Sequence, residues 1–417
     1  MTENIHELYQ HTRRQSEEFC EPLCIEDYGL QAEPFTSPPK WHLAHTTWFF
    51  ETFLLKPFLG DYRSPEPRYE ILFNSYYNGI GAQHPRDKRG LLSRPTVEEV
   101  RDYRHSVDLG IFALLKAQHP EKDEINRRIR LGIEHERQHQ ELFFTDLKYS
   151  LHTNPLAPAY REAPAQQFAA TPPIDWHAYP GGLVETGHRG EGFCFDNELP
   201  RHKAYLEPFQ FASRLVTNGE YQAFIDDGGY QRPEFWLADG WTTVCDNRWQ
   251  APHYWQDAEG VGLEFSLYGL SHRRAEAPVC HVSGYEADAF ARWAAARLPT
   301  EQEWEFVASA EPMASEGIDD GHLHPQPANE RNGIQQLYGS CWQWTQSAYS
   351  PYPGFSPSAD AIGEYNGKFM SNQWVLRGGS CVSKADHVRP SYRNFFYPPD
   401  RWQFSGIRLA KSLQSEQ

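Results

Sequence analysis

The segment 37–51 reads SPPKWHLAHTTWFFE, and it decides how the first half of the chain folds. Ser37 can cap a helix and prolines are tolerated in the first helical turn, so we expect a helix to begin here. Apolar and aromatic residues follow from Trp41 to Leu59, with no breaker before Pro57. This pattern predicts a helix that packs into the core of a bundle.

Three further helices are predicted around this segment. Residues 5–19 form an amphipathic stretch. A capping box at Thr96 and Glu99 opens a third helix, which runs to about residue 118. A fourth helix begins after Pro120 and continues to about Leu151. Four helices of this length predict an antiparallel four-helix bundle over residues 1–152.

The second half of the chain differs in composition and in residue pattern. Residues 153–180 are rich in proline and alanine, which predicts a linker. From residue 181 to residue 417, Gly, Pro, Trp and Tyr are dense, and the one clear helical pattern covers 284–296. This composition predicts an irregular domain of short strands, long turns and few helices. The fold class expected for the whole chain is therefore α+β, with two domains.

The composition excludes some functions. A net charge of −17 argues against a general nucleic-acid-binding protein, because phosphate contacts need Lys and Arg. No apolar run is long enough to span a membrane, and the polar N-terminus is unlike a signal peptide. Seven scattered cysteines are typical of free thiols in a reducing compartment. We therefore expect a cytoplasmic protein with no membrane or nucleic-acid partner, of open oligomeric state.

The fourth helix contains a candidate metal-binding pair. His135 and His139 are four residues apart, so both imidazoles project from the same helical face. A third ligand must come from elsewhere, and the second helix offers His42 and His45. Bundles often hold metals through side chains on facing helices. By spacing alone, a metal site and a surface coincidence remain equally good interpretations.

A rival interpretation uses the same residues. The segment 135–139 matches the H-E-x-x-H pattern of zinc proteases, in which the glutamate is a general base. The pattern is short, and no third ligand follows nearby. Between a catalytic base and a solvated helix residue, the sequence favours the second interpretation for Glu136.

Several segments together identify a family. The chain resembles the sulfoxide synthases of ergothioneine biosynthesis, with a DinB-like helical domain followed by a formylglycine-generating-enzyme-like domain of the C-type-lectin-like kind. The matching segments are 37–51, 73–78 (FNSYYN), the helix with His135 and His139, 195–200 (FDNELP), 216–221 (VTNGEY), 297–305 (RLPTEQEWE), 377–380 (RGGS) and 406–408 (GIR). Their order along nearly the whole chain is more specific than any one of them.

The resemblance implies a reaction and a metal. It implies an enzyme that uses Fe(II) and O2 to join a cysteine thiol to the imidazole of trimethylhistidine (hercynine). It assigns His45 as the third ligand beside His135 and His139, which leaves His42 as a packing residue or an outer-shell residue. Three neutral ligands leave open positions at which thiolate, imidazole and O2 can meet.

The resemblance also implies how trimethylhistidine is bound. Gln138 and Asn394 match the residues that hold this substrate in the family. A quaternary ammonium favours aromatic faces, and Phe395 follows Asn394 directly. Without the resemblance, Gln138 would be a helix-surface amide and Asn394 a turn residue.

Four residues are assigned to the thiol and to proton transfer. Arg86 and Arg89 match a pair that binds the carboxylate of the thiol substrate, a task for which the guanidinium fork is suited. Tyr76 and Tyr77 match an active-site pair, and a tyrosine hydroxyl can serve as the catalytic acid. Which of the two tyrosines donates the proton is left open.

The sequence departs from the family at two positions. Members that use γ-glutamylcysteine carry Asp and Arg where this chain has Phe396 and Asp400. We therefore expect free cysteine to be preferred over γ-glutamylcysteine. The alternatives are an ovothiol-type synthase that acts on unmodified histidine, which usually has an added methyltransferase domain, and a zinc metalloprotease-like protein.

Overall fold

The computed structural model describes residues 4–164, 170–313, 317–330, 332–357, 361–364 and 366–413. The chain divides into two compact units. The first comprises Met1–Arg161 with Ser358–Tyr365, and the second comprises Glu162–Pro357 with Asn366–Gln417. The first unit is helical, and the second combines strands, short helices and irregular backbone. The predicted α+β class is therefore confirmed.

The described residues of the first unit form four long α-helices and two short ones. They are α1 (Ile5–Glu18), α2 (Pro39–Phe50), α3 (Lys56–Phe58), α4 (Tyr69–Phe73), α5 (Val97–Lys116) and α6 (Lys122–His152). Helix α2 lies against both α5 and α6, and α1 lies against α6. Since nearly every residue of α2 is buried, its apolar sequence is explained by a central position in the bundle.

Helix α5 begins where the capping box predicts. The Thr96 hydroxyl accepts a hydrogen bond from the backbone N–H of Glu99, and the Glu99 carboxylate accepts one from the backbone N–H of Thr96. These two bonds satisfy donors that the first turn of a helix leaves without an intrahelical partner.

Helix α2 ends at Phe50, before the breaker that the sequence indicates at Pro57. A π-helical turn, Glu51–Leu55, follows it and leads into α3. Pro57 has no backbone N–H, so it cannot donate to the Phe53 carbonyl as a helix requires. The guanidinium of Arg128 on α6 donates to that carbonyl instead, at 3.3 Å.

Helices α2 and α6 approach closely at Gly132. A Cβ atom at this position would lie 2.4 Å from Cε1 of Phe50, closer than two such carbons can come. Gly132→Ala is therefore expected to lower the free energy of unfolding by about 1–3 kcal/mol, the cost of overpacking a core. Urea unfolding measures this value. Gly60→Ala is the control, since no heavy atom lies within 4 Å of its Cβ position; equal effects of both substitutions would contradict the packing argument.

Where the structure describes the second unit, it contains four α-helices and four small sheets. The helices are α7 (Asn218–Asp226), α8 (Ala238–Asn247), α9 (Gly284–Trp293) and α10 (Glu301–Ala308). The strands are β1 (Trp176–Tyr179), β2 (Gly182–Thr186), β3 (His202–Leu206), β4 (Phe209–Ala212), β5 (Trp255–Ala258), β6 (Val261–Ser266), β7 (Gly269–His272), β8 (Trp342–Ala348), β9 (Trp374–Arg377), β10 (Asn394–Phe396), β11 (Ser405–Gly406) and β12 (Ala410–Ser412).

The sheets follow the orders β1-β4-β12, β10-β9-β8-β11, β2-β3 and β5-β6-β7. All pairs are antiparallel except β11 with β8. A hydrophobic core cluster is formed by side chains of β3, β4 and α10, among others, and includes Phe209, Phe211 and Trp304. Strand β1 already begins at Trp176, inside the segment predicted to be a linker; the boundaries at 152 and 180 stay a prediction.

The helix predicted over 284–296 is present but ends earlier, at Trp293. Ala295 has a φ of 51°, which is incompatible with a continuing right-handed helix. Among the described helices of both units, none is long and apolar enough to cross a membrane.

Candidate metal centre

Three histidines converge in the core of the helical unit. His45 lies in the middle of α2, and His135 and His139 lie one turn apart on α6. One ring nitrogen from each lies within 4.8 Å of those of the other two, and the described residues contain no other such group of three His, Cys, Asp or Glu. The Nε2 atoms of His45 and His135 are 3.2 Å apart. Two nitrogens about 2.1 Å from one ion and at right angles to each other are about 3 Å apart, so this spacing fits metal coordination.

The tautomer of His45 is fixed by a backbone contact. Its Nδ1 atom lies 2.6 Å from the carbonyl oxygen of Phe73 at the end of α4. Because a carbonyl can only accept, Nδ1 carries the proton and Nε2 presents its lone pair toward His135. This is the arrangement that outer-shell partners impose on metal-binding histidines.

Aromatic rings stack on two of the three imidazoles. Trp41 stacks on His45 with ring centroids 4.5 Å apart, Trp48 stacks on it at 5.5 Å, and Phe49 stacks on His135 at 4.5 Å. Burial lowers the pKa of His45 and His139 well below the usual value and that of His135 to about 3. The imidazoles are therefore neutral near pH 7, the state in which histidine binds metals.

Glu136 is neither solvated nor available as a base. It is 1% exposed, and its oxygens accept hydrogen bonds from Arg13 (2.9 Å), Arg104 (3.0 Å) and the Ser16 hydroxyl (2.7 Å). Burial favours the protonated acid, but the two guanidinium groups outweigh it and hold the pKa of Glu136 at about 2. The interpretation of Glu136 as a solvated residue is wrong, and the zinc-protease interpretation loses its general base.

The segment after α4 places the two candidate tyrosines. Tyr77 is fully buried, with its ring 5.6 Å from Trp48 and 5.2 Å from Phe53. Tyr76 is half-buried and stacks on Tyr77 at 4.6 Å. The Asn74 side chain accepts from the Tyr77 N–H at 3.1 Å and donates to the Tyr77 carbonyl at 3.0 Å. Because the Phe73 carbonyl accepts a hydrogen bond from Nδ1 of His45, this segment connects the tyrosines to the histidine cluster.

Arg89 is a buried cation that forms no direct ion pair with a described carboxylate. It is 4% exposed, its guanidinium lies 3.5 Å from the centre of the Trp41 ring, and it donates to the hydroxyls of Ser37 (2.9 Å) and Ser75 (3.3 Å). No carboxylate among the residues that the structure describes lies within ion-pairing distance. Burial, and then the charge of Arg86, lowers the pKa of Arg89 to about 9.

Arg86 and Gln138 are less buried. Arg86 is exposed, and its guanidinium donates to the backbone carbonyl of Phe35. Gln138 is half-buried on α6, next to His139.

Asn394 and Phe395 belong to the second unit, on β10. The Asn394 side-chain oxygen accepts from the N–H of Phe395 at 2.9 Å. Phe395 stacks on Tyr349 with ring centroids 4.1 Å apart.

Sequence reasoning missed one partner of the cluster. His42 lies between His139 and Asp146, 2.9 Å from Nδ1 of the first and 3.1 Å from Oδ2 of the second. Asp146 was not among the candidate residues. Its position seven residues after His139, on the same face of α6, was the available signal.

Comparisons with known proteins identify both domains. The DinB superfamily model matches residues 8–143, and the model of the sulfatase-modifying factor enzyme 1-like domain matches residues 165–332 and 320–413. Ergothioneine biosynthesis protein 1 of Schizosaccharomyces pombe is 25% identical over 232 residues, which cover 53% of this chain and 28% of that protein.

Two bacterial relatives match nearly end to end. Hercynine oxygenase of Mycolicibacterium thermoresistibile is 31% identical over 408 residues, which cover 91% of this chain and 88% of that protein. Hercynine oxygenase of Mycobacterium tuberculosis is 32% identical over 407 residues, which cover 91% of this chain and 92% of that protein. The family expected from the sequence segments is confirmed: the chain belongs to the hercynine oxygenase family of enzymes.

Proposed function

We propose that this protein is an Fe(II)- and O2-dependent sulfoxide synthase of ergothioneine biosynthesis, which joins the thiol of cysteine to the imidazole of trimethylhistidine. The observation that carries the proposal is the convergence of three neutral imidazoles, from α2 and α6, beside a buried arginine that forms no ion pair with a described carboxylate. The first feature suits an oxygen-activating metal, and the second suits a small anionic substrate.

The donor set supports a ferrous ion. His45, His135 and His139 contribute nitrogen only, without thiolate or carboxylate, so a bound ion keeps its full double charge and open positions. Bound Fe(II) would supply the electron transfer to O2 and the coordination positions that bring the reactants together. The protein contributes the orientation of the imidazoles, through the Phe73 carbonyl, and a water-excluding wall, through Trp41, Trp48 and Phe49.

Arg89 is proposed to bind the carboxylate of cysteine, with Arg86 as its partner. A guanidinium held between Trp41, Ser37 and Ser75 is positioned before substrate arrives, which reduces the entropy lost on binding. The substrate carboxylate would supply the counter-charge that Arg89 lacks. Gln138, Asn394 and Phe395 keep their proposed role in binding trimethylhistidine on the family resemblance alone.

The proposed function is tested by reconstitution. The purified chain, loaded with Fe(II) without oxygen and then given trimethylhistidine, cysteine and O2, is expected to form a sulfoxide in which both substrates are joined, detected by mass spectrometry. Histidine in place of trimethylhistidine tests the ovothiol-type alternative. Zn(II) in place of Fe(II) is the metal control. Absence of the coupled product with Fe(II), or equal product with Zn(II), would refute the proposal.

Free cysteine is expected to be the better thiol. Phe396 packs edge-on against Trp402 with ring centroids 5.6 Å apart, and Asp400 accepts from the Tyr397 N–H at 3.1 Å. The Phe396 ring offers no charge to the glutamyl ammonium, and the Asp400 carboxylate would repel the glutamyl carboxylate. We expect kcat/KM for cysteine to exceed that for γ-glutamylcysteine at least about tenfold, the effect of one charge-assisted hydrogen bond. Steady-state kinetics with both thiols measure the ratio, and a preference for γ-glutamylcysteine would contradict it.

At least one of the two tyrosines is expected to act as the catalytic acid. Tyr77→Phe and Tyr76→Phe each remove a hydroxyl and leave the ring contacts in place. Loss of a general acid typically costs about 10²–10⁴-fold, so one variant should lose at least 100-fold of its sulfoxide-forming rate. The ratio of sulfoxide to plain thiol oxidation, read by mass spectrometry, distinguishes proton transfer from a general loss of activity. Two fully active variants would remove both residues from the mechanism.

A further inference from the structure

Three side chains, His139, His42 and Asp146, are linked by hydrogen bonds next to the histidine cluster. Nδ1 of His139 lies 2.9 Å from Nδ1 of His42, and Nε2 of His42 lies 3.1 Å from Oδ2 of Asp146. His42 and Asp146 are 5% and 3% exposed, so the contact between these two side chains is shielded from water, whereas His139 is half-buried. His42 comes from α2, whereas His139 and Asp146 lie two turns apart on α6.

The hydrogen bonds between these three side chains have a fixed donor-to-acceptor direction. The Asp146 carboxylate can only accept, and it also receives the backbone N–H of Ser37 at 2.8 Å. Nε2 of His42 therefore donates to Asp146, which in the neutral form of the imidazole leaves Nδ1 of His42 as an acceptor. Nδ1 of His139 then donates to His42. The remaining nitrogen of His139, Nε2, has a lone pair and is left for a metal.

Two of the three candidate ligands are thus oriented by hydrogen bonds of the same kind. For His45 the acceptor is the neutral Phe73 carbonyl, and for His139 it is an imidazole that is itself held by a carboxylate. A carboxylate that acts through one imidazole increases the electron density on the next, so His139 should be the stronger donor of the two.

We propose that His42 and Asp146 are positioning residues of the metal site, which fix the tautomer and ring orientation of His139 and strengthen it as a ligand. This inference rests on the proposed function only in taking the three histidines as metal ligands. It selects the outer-shell role for His42 over a packing role and gives Asp146, 104 residues away in sequence, a role in the same site.

The test measures metal binding without substrates, on the full-length apoprotein with Co(II) alone. His42→Phe keeps the ring volume but removes the acceptor, and Asp146→Asn removes the charge. Both are expected to weaken Co(II) binding by about 10–100-fold, the usual effect of losing an outer-shell partner. Both should also change the visible absorption spectrum of the bound ion. His42→Gln retains an oxygen that can accept from His139, so it should recover part of the affinity.

Glu51→Gln is the matched control. It removes a buried carboxylate from the same bundle, one that accepts hydrogen bonds from Tyr62 and Tyr103. Its Co(II) affinity and spectrum should equal those of the wild type. Unfolding of each apoprotein in urea separates loss of the fold from loss of positioning.

The outcomes are distinguishable. If the wild type binds Co(II), and His42→Phe and Asp146→Asn bind it equally well with the same spectrum, the positioning role is wrong and the proposed function stands. If the His42→Gln variant is as weak as His42→Phe, the acceptor is not what matters, and the role is also refuted. If the wild type itself binds no Co(II), the metal centre and the positioning role both fail.

Discussion

Replacing His45 with phenylalanine is expected to abolish iron binding and product formation while the helical unit stays folded. A phenyl ring fills the space of the imidazole and can keep the stacking on Trp41 and Trp48, but it offers no nitrogen. Loss of an outer-shell partner already costs about 10–100-fold in metal affinity, so loss of a ligand should cost more than 100-fold. Iron content after anaerobic loading, urea unfolding and the rate of sulfoxide formation measure the three effects.

The choice of substitution separates coordination from packing. His45→Ala would also empty a fully buried site and lose stability through the cavity. His105→Ala on the exposed side of α5 controls for the loss of a histidine elsewhere in the unit. If His45→Phe retained stoichiometric iron and activity, the three histidines would not form the metal centre, and the proposed function would have no site.

The four long helices of the first unit could be predicted because their signals are local. Capping residues, the position of Pro39 and the apolar run after Trp41 all act within a few residues of the chain. The spacing of His135 and His139 likewise shows that they share a helical face. It does not select the third ligand, since His42 and His45 lie on the same helix; only the family resemblance distinguished them.

The parts that sequence reasoning missed depend on contacts between distant segments. Glu136 looks like a solvated helix residue because the arginines that bury it, Arg13 and Arg104, come from α1 and α5. The hydrogen bonds from His139 through His42 to Asp146 likewise connect residues of two helices, α6 and α2. No local pattern encodes such partners, because the bundle must form before the side chains meet.

Replacing Arg89 with methionine is expected to leave the fold as stable as the wild type or more so, and to impair the use of cysteine severely. Burial lowers the pKa of Arg89 to about 9. The charged side chain therefore destabilises the folded protein near neutral pH. A side chain of similar length without charge removes this cost. The same substitution removes charge-assisted hydrogen bonds to the substrate carboxylate, each worth about 1.5–3 kcal/mol. We expect kcat/KM for cysteine to fall about 100-fold or more.

Cysteamine, which has the thiol and the amine of cysteine but no carboxylate, makes the test specific. If Arg89 binds the carboxylate, the wild type should use cysteamine poorly, and Arg89→Met should change that low rate by less than about twofold, since no interaction with a carboxylate is lost. Cysteine should raise the Tm of the iron-loaded wild type and not that of the variant, because only the wild type gains the missing counter-charge. An equal loss with both thiols would mean that Arg89 supports Trp41 and the histidine stacked on it. The buried charge would then serve the architecture of the metal centre rather than recognition of the substrate.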